Sequence, residues 1–215
     1  MSSILWKNVN LVDVKEKKIV ENVDVLAVDG VITEVGAGLA AEADEIIDGS
    51  GKYMTPGIID THVHITWDGT ANPVGLDEHE GVFQAFLRGI KHAGQCLKAG
   101  VTTVREVGSK QDVAIEVAYS INKGYAPGCT IYPVGSAIQS VYGHVPAVGT
   151  IADSDGEIMT AIREKKIKLT EKEIPCQWIK IMATGGAAGM EEDITDPCLG
   201  WEKTERLILD IADSL

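Results

Sequence analysis

The sequence lacks a basic excess. Lys plus Arg number 19 against 32 for Asp plus Glu, a net charge of −13. Phosphate backbones are held by dense Lys/Arg, so this balance argues against a nucleic-acid partner. It also disfavours attraction to anionic lipid. No apolar run approaches the ~20 residues needed to span a bilayer. Met1 to Asn10 shows no basic segment followed by an apolar core, the pattern of a secretory signal. Cysteines stand at 96, 129, 176 and 198, and none forms a Cys-x-x-Cys pair, which removes zinc-knuckle and thioredoxin readings. Reduced thiols in a cytoplasmic protein are the expectation. The run Gly185-Gly186-Ala187-Ala188-Gly189 lacks the Gly-Lys-Ser/Thr of a phosphate loop. No internal repeat or low-complexity tract stands out.

What is present is an ordinary globular composition, 45% apolar and 24% charged, over 215 residues. The first 56 residues read as short strands with no helical period. Val25-Leu26-Ala27-Val28 and Val31-Ile32-Thr33-Glu34-Val35 flank Asp29-Gly30, a two-residue hairpin signal because a type I′ turn needs positive φ at both positions. Ile4 to Val14 and Glu45 to Asp48 are further strand candidates. Residues 1–56 therefore look like part of a small β-sandwich.

The pattern changes at Thr55-Pro56-Gly57. Gly57 to Ile65 predicts a strand. Glu80 to Lys98 predicts a helix with Phe83, Phe86, Leu87, Ile90, Ala93 and Leu97 on its apolar stripe, ended by Gly100. Val101 to Arg105 is a second strand, and Val113, Val117, Ala118 and Ile121 mark a helix closed by Gly124. Cys129 to Val134 and Trp178 to Ala183 are a third and a fourth strand. Asp155 to Lys166 and Thr204 to Leu215 predict further helices. Strands alternating with helices at intervals of about 28 to 50 residues imply parallel βα units with crossover helices.

Two clusters carry chemistry. Strand side chains alternate faces, so His62 and His64 in Ile58-Ile59-Asp60-Thr61-His62-Val63-His64 project to one side and can reach one cation. Asp60 shares their parity and could support them as a hydrogen-bond acceptor. A His-x-His on a half-exposed strand is the bland alternative. Lys180 lies in the apolar run Trp178-Ile179-Lys180-Ile181-Met182-Ala183, followed by Thr184-Gly185-Gly186. Desolvation there would lower its pKa and free the neutral amine as a nucleophile. A neutral lysine can add carbon dioxide to give an anionic carbamate able to bridge two cations. An edge lysine reaching solvent is the alternative.

Pro56-Gly57-Ile58-Ile59-Asp60-Thr61-His62-Val63-His64 resembles the opening motif of the metal-dependent amidohydrolase superfamily. Gly100-Val101-Thr102-Thr103-Val104-Arg105 is similar to its second-strand signature. Lys180-Ile181-Met182-Ala183-Thr184-Gly185-Gly186 is similar to the fourth-strand motif of the prolidase-like and carboxypeptidase-like branch. The resemblance implies an α/β fold: residues 1–56 as the N-terminal part of a composite β-sandwich, and residues 57–215 as strands 1–4 of a truncated (β/α)₈ TIM-type barrel. It implies a hydrolase of amide or peptide-like C–N bonds acting on a small-molecule or dipeptide-like substrate, and a homo-oligomer at full length. Two divalent cations, zinc by default, would bind His62, His64 and a carboxylated Lys180 that bridges them and serves catalysis. His144, in the loop after strand three, would contact substrate; a loop histidine without function is the alternative. Two further histidines and an aspartate, at strands five, six and eight, are expected beyond Leu215, so activity of this chain by itself is not expected. A mononuclear deaminase or imidazolone-type hydrolase, which does without the lysine, is a second reading. A non-catalytic remnant, or a half-barrel needing a partner chain, is a third. The motifs leave Arg105 and Glu106 without a chosen role, and predict His79 at the surface and His92 as structural.

Overall fold

The computed structural model describes residues 2–70, 72–141, 143, 145–175 and 178–183. The chain divides into two compact units, Met1–Gly57 and Ile58–Leu215.

The first unit is one five-stranded sheet. β1 (Ser3–Asp13) pairs antiparallel with β2 (Lys18–Val28), and β2 with β3 (Val31–Gly36). β4 (Glu45–Asp48) and β5 (Tyr53–Met54) run parallel to β1 on its other side. The β2–β3 hairpin turns at Asp29 (φ 49°) and Gly30 (φ 79°), both positive as a type I′ turn requires. One face of the sheet buries Val9, Val23 and Val25, and Leu5, paired with Leu26, is buried on the other. Ile19, Val31, Ile32 and Ile46 are exposed. Among the described residues this unit holds one sheet. Asp24 is buried in this unit, and both its oxygens accept backbone N–H groups, from Asn8 at 2.9 Å and Leu39 at 2.9 Å.

The second unit is mixed α/β. β6 (Ile58–Val63), β7 (Val101–Glu106) and β8 (Thr130–Pro133) form a parallel sheet in that order. Two helices precede β7, the short α1 (Pro73–His79) and α2 (Val82–Lys98), and α3 (Val113–Asn122) joins β7 to β8. Glycines at positive φ end both crossover helices, Gly100 at 85° and Gly124 at 74°. Beyond Gly135 the chain continues as β9 (Ala137–Gln139), which pairs in parallel with β10 (Gly149–Ile151) and with β11 (Ile181–Met182). Between them lies α4 (Asp155–Glu171), whose N-cap Ser154 Oγ accepts Glu157 N–H while Glu157 Oε2 accepts Asp153 N–H. The fourth predicted strand is therefore shorter than Trp178 to Ala183. Lys180 immediately precedes it, and its carbonyl accepts from Ile138 N–H at 2.8 Å.

The helix α2 corrects a sequence expectation. Its buried residues are Ala85, Gly89 and Ala93, with Val82, Phe86, Ile90 and Cys96 packed around them. Phe83 is 78% exposed and Leu87 66%. The small residues face the sheet and α3 because close approach leaves no room for large ones. A Cβ on Gly89 would sit 2.8 Å from a Val117 methyl group. The predicted helix Thr204 to Leu215 lies outside the described residues.

Candidate functional site

The two histidines meet where β6 ends. His62 is the strand's penultimate residue and His64 follows its last. Their rings lie 5.8 Å apart at 70° to one another. The alternation that was to include Asp60 does not hold. Between Asp60 and Val63 the pairing with β7 slips, so three steps on β6 match two on β7. Such a bulge re-aims side chains locally. Asp60 Oδ1 instead accepts the backbone N–H of His62 at 3.0 Å.

His64 is held from two sides. Its Nδ1 lies 2.8 Å from the carbonyl oxygen of Gly108. A carbonyl only accepts, so this nitrogen carries the proton. The Trp67 ring stacks on the imidazole at 4.3 Å and 24°, and the Trp67 backbone N–H donates to the His64 carbonyl at 2.9 Å. Gly108 has φ +154°, and a Cβ there would stand 3.4 Å from His64 Cε1. The turn that carries it is pinned in turn. Val107 N–H donates to the Val63 carbonyl at 3.0 Å, between the two histidines, and Ser109 N–H donates to Gly135 at 3.1 Å. Glu106 is fully buried beneath this turn, and its Oε1 accepts Gly108 N–H at 3.1 Å. Burial pushes its carboxyl well above the usual carboxylate range, and the Gly108 hydrogen bond offsets this only partly.

Lys180 is half-buried, and its amine is pushed below the usual lysine range, first by burial and then by the nearby Arg105 charge. Arg105 donates to the Thr61 carbonyl at 2.6 Å, and its guanidinium lies 5.2 Å from the Trp178 ring centre. Arg105 thus links β6 to the segment leading to Lys180, while Glu106 faces the opposite way. Among the described residues no three His, Cys, Asp or Glu side chains converge as a group able to hold a metal. His144 and the glycines after Lys180 lie outside the described residues. His79 is exposed, with Nδ1 2.6 Å from the Gly75 carbonyl of its own helix. His92 is half-buried and bonds the Ile65 carbonyl at 3.0 Å, tying α2 to the turn after His64.

Sequence reasoning missed the framework behind this turn. Asp112 adopts φ 60° at the start of α3 and accepts Ser136 N–H at 2.6 Å and Lys165 Nζ at 3.1 Å through Oδ1. Lys168 bonds its other oxygen. Burial raises this carboxyl's pKa, but the Lys168 and Ser136 hydrogen bonds and the lysine charges outweigh it and carry it to about 2. Ser136 Oγ donates to the Ser109 carbonyl at 3.0 Å, and Ser109 Oγ accepts from Ala114 N–H at 3.0 Å. Asp112, Ser136, Lys165 and Lys168 border a cleft of about 620 Å³ lined also by Thr150 and Glu164. Asp112 and Lys165 are 53 residues apart, so no local pattern announces them. Gly108 had one signal, a glycine two residues beyond a strand end.

No described helix is long and apolar enough to cross a membrane. Dihydroorotase from Trichlorobacter lovleyi is 30% identical over 154 residues, which is 70% of this chain and 34% of that protein. Imidazolonepropionase from Idiomarina loihiensis is 31% identical over 112 residues, 49% of this chain and 26% of that protein. Among solved structures, a prolidase complexed with N-methylphosphonate-L-proline superposes at TM-score 0.72 and 24% identity, covering 86% of this chain and 47% of its own. Another, an amidohydrolase, superposes at 0.72 and 26% identity, with 86% and 48% covered. The chain thus spans about a third of the dihydroorotase's length and about half that of the solved neighbours. The family model described as the amidohydrolase family matches residues 53–190. That match covers more than half of the 215 residues, and the chain belongs to the amidohydrolase family.

Proposed function

We propose that this chain forms strands 1–4 of a (β/α)₈ barrel and carries the first part of a binuclear metal site that hydrolyses an amide-type C–N bond. The observation that carries this reading is the His62–His64 pair, with His64 Nδ1 committed to the Gly108 carbonyl. An imidazole held this way ligates through Nε2, the arrangement found for metal-bound histidines whose other ring nitrogen is hydrogen-bonded to protein. The placement agrees, because parallel βα sheets bind ligands at the carboxyl ends of their strands. Relatives named dihydroorotase and prolidase support C–N hydrolysis as the reaction class.

His62, His64 and Lys180 supply the donor set, and His144 would contact substrate. Lys180 suits the bridging role because burial and the Arg105 charge both favour its neutral amine. The Nζ lone pair forms a bond to the carbon of carbon dioxide and one amine proton leaves to solvent, giving a carbamate with two oxygens. Two divalent cations, zinc from the imidazole and oxygen donors, would supply water activation near neutral pH and polarise the scissile carbonyl. The chain's own part is to fix the donors. Gly108 and Trp67 hold His64, the β6 bulge aims His62, and Arg105 steadies the strand end opposite Lys180.

The test is Lys180→Ala in the full-length protein. Expected are loss of a carbon dioxide adduct in the intact mass, lower bound zinc and abolished amide hydrolysis. Normal turnover with unchanged zinc content would remove the bridging lysine and favour a mononuclear site.

A further inference from the structure

We infer that Glu106 is a positioning residue for His64, acting through Gly108 to fix which ring nitrogen the imidazole offers. The inference rests on the reading of His64 as a metal ligand. Glu106 is the last residue of β7 and is 0% exposed. Val104, two residues earlier on the same face, is apolar and equally buried. An aliphatic side chain would fill such a position without any need for hydrogen bonds. A carboxyl there carries a cost: Oε2 has no hydrogen-bond partner among the described residues. What the carboxyl gains is one bond, from Gly108 N–H to Oε1 at 3.1 Å.

That bond fixes the Val107–Gly108 peptide, one of the two that meet at the Gly108 Cα. Gly108 donates through its N–H to Glu106 and accepts through its C=O from His64 Nδ1. Its φ of +154° belongs to glycine, so the backbone at this point has wide freedom and needs an external constraint. Glu106 supplies it from below, and the Val107–Val63 and Ser109–Gly135 hydrogen bonds supply it from either side. The Ser109–Gly135 bond holds the Gly108–Ser109 peptide, which carries the carbonyl on His64 Nδ1, and Glu106 holds the Val107–Gly108 peptide before it. Removing the carboxyl frees that preceding peptide, so φ at Gly108 is no longer fixed and the carbonyl is left with a single anchor. The carbonyl then leaves Nδ1, and the imidazole loses its fixed tautomer and ring angle.

The experiment uses the full chain, its ¹⁵N/¹H histidine resonances and zinc affinity by competition with a chromophoric chelator. In the parent, His64 is expected as the Nδ1–H tautomer with a protected proton. Glu106→Ala should lose that signal and weaken zinc binding by about 10–100-fold, as removal of a partner behind a metal-bound histidine does. Glu106→Gln keeps an acceptor at Oε1 and should retain both. Glu106→Met, which fills the volume without an acceptor, should behave like Ala and serves where Ala does not fold. An Nε2–H tautomer in the parent overturns the inference. So does a Glu106→Ala or Glu106→Met variant with parental tautomer and affinity. His64→Ala separates the two readings. If it leaves zinc affinity unchanged, the ligand reading fails, while the tautomer shift in Glu106→Ala still decides the positioning role.

Discussion

Replacing Asp112 by Asn tests the framework behind the site. Asp112 sits at φ 60°, a conformation Asn tolerates, so the backbone is spared. Asn also keeps an oxygen for Ser136 N–H. What disappears is the charge facing Lys165, whose side chain is 4% exposed, and Lys168, at 53%. Breaking a buried ion pair on one side costs about 3–5 kcal/mol when the remaining charge is stranded. Lys165 keeps a hydrogen bond to Thr150 Oγ1 at 3.3 Å and opens toward the cleft, so the full figure does not apply. An independent route is the Asp112 pKa, lowered from 3.8 to about 2. At 1.36 kcal/mol per unit this corresponds to about 2 kcal/mol before solvent screening. Expected is a loss of about 2 kcal/mol, read by urea denaturation with far-UV circular dichroism. Adding Lys165→Met removes the stranded ammonium and should restore most of it, because deleting both partners is far milder than deleting one. A loss under about 0.5 kcal/mol, within the range of ordinary surface substitutions, refutes the reasoning. A double variant no better than Asp112→Asn refutes it equally.

Two further outcomes follow from the same geometry. Asp112 has a lowered pKa when folded, so its stabilisation is present above 3.8 and is lost as pH falls through about 2. The stability gap between parent and Asp112→Asn should therefore close on acidification across that window. A gap unchanged at pH 2 contradicts the shift. Glu106 has the opposite sign: its pKa is raised, so its cost is absent below 4.5 and grows as pH rises, and Glu106→Gln should flatten that decline. On α2, Phe83→Ser should change stability by less than about 0.5 kcal/mol, since 78% of Phe83 is already exposed. Leu in place of Ala85, which is 0% exposed, should cost about 1–3 kcal/mol by overpacking. Equal losses in the two thermal melts would contradict the observed face.

The parts legible in the sequence are those specified by neighbours along the chain. Asp29-Gly30 between β-branched runs could only be a tight turn. Gly100 and Gly124 mark helix ends because their positive φ values suit little else. His62 and His64 are two residues apart, so their proximity survives even though the pairing slips beside them. The slip itself was not legible, because it depends on how β6 fits β7. The face of α2 was legible only in part for a related reason: Phe86, Ile90 and Ala93 pack as the stripe predicts, and Phe83 and Leu87 do not. Hydrophobic periodicity rewards large side chains, whereas this helix approaches the sheet on Ala85, Gly89 and Ala93. Size complementarity with Val117 decides that contact, and no single segment encodes it.

The hidden residues share a location that bears on function. Glu106 ends β7 and Gly108, Ser109 and Asp112 follow it, while Gly135 and Ser136 follow β8. They join one strand end to the next through the Ser109–Gly135, Ser136–Ser109 and Asp112–Ser136 hydrogen bonds. Strand ends are where a parallel sheet leaves its backbone groups without ladder partners, and burying them requires such links. A metal site makes the same demand more strictly, because a ligand displaced by about 0.5 Å loses its productive geometry. In the proposed reading one set of hydrogen bonds serves both needs. It completes the sheet's polar groups and fixes the carbonyl on which His64 rests. Lys165 and Lys168 then anchor that set to α4, so the stiffness at the histidines is drawn from a helix more than fifty residues along the chain.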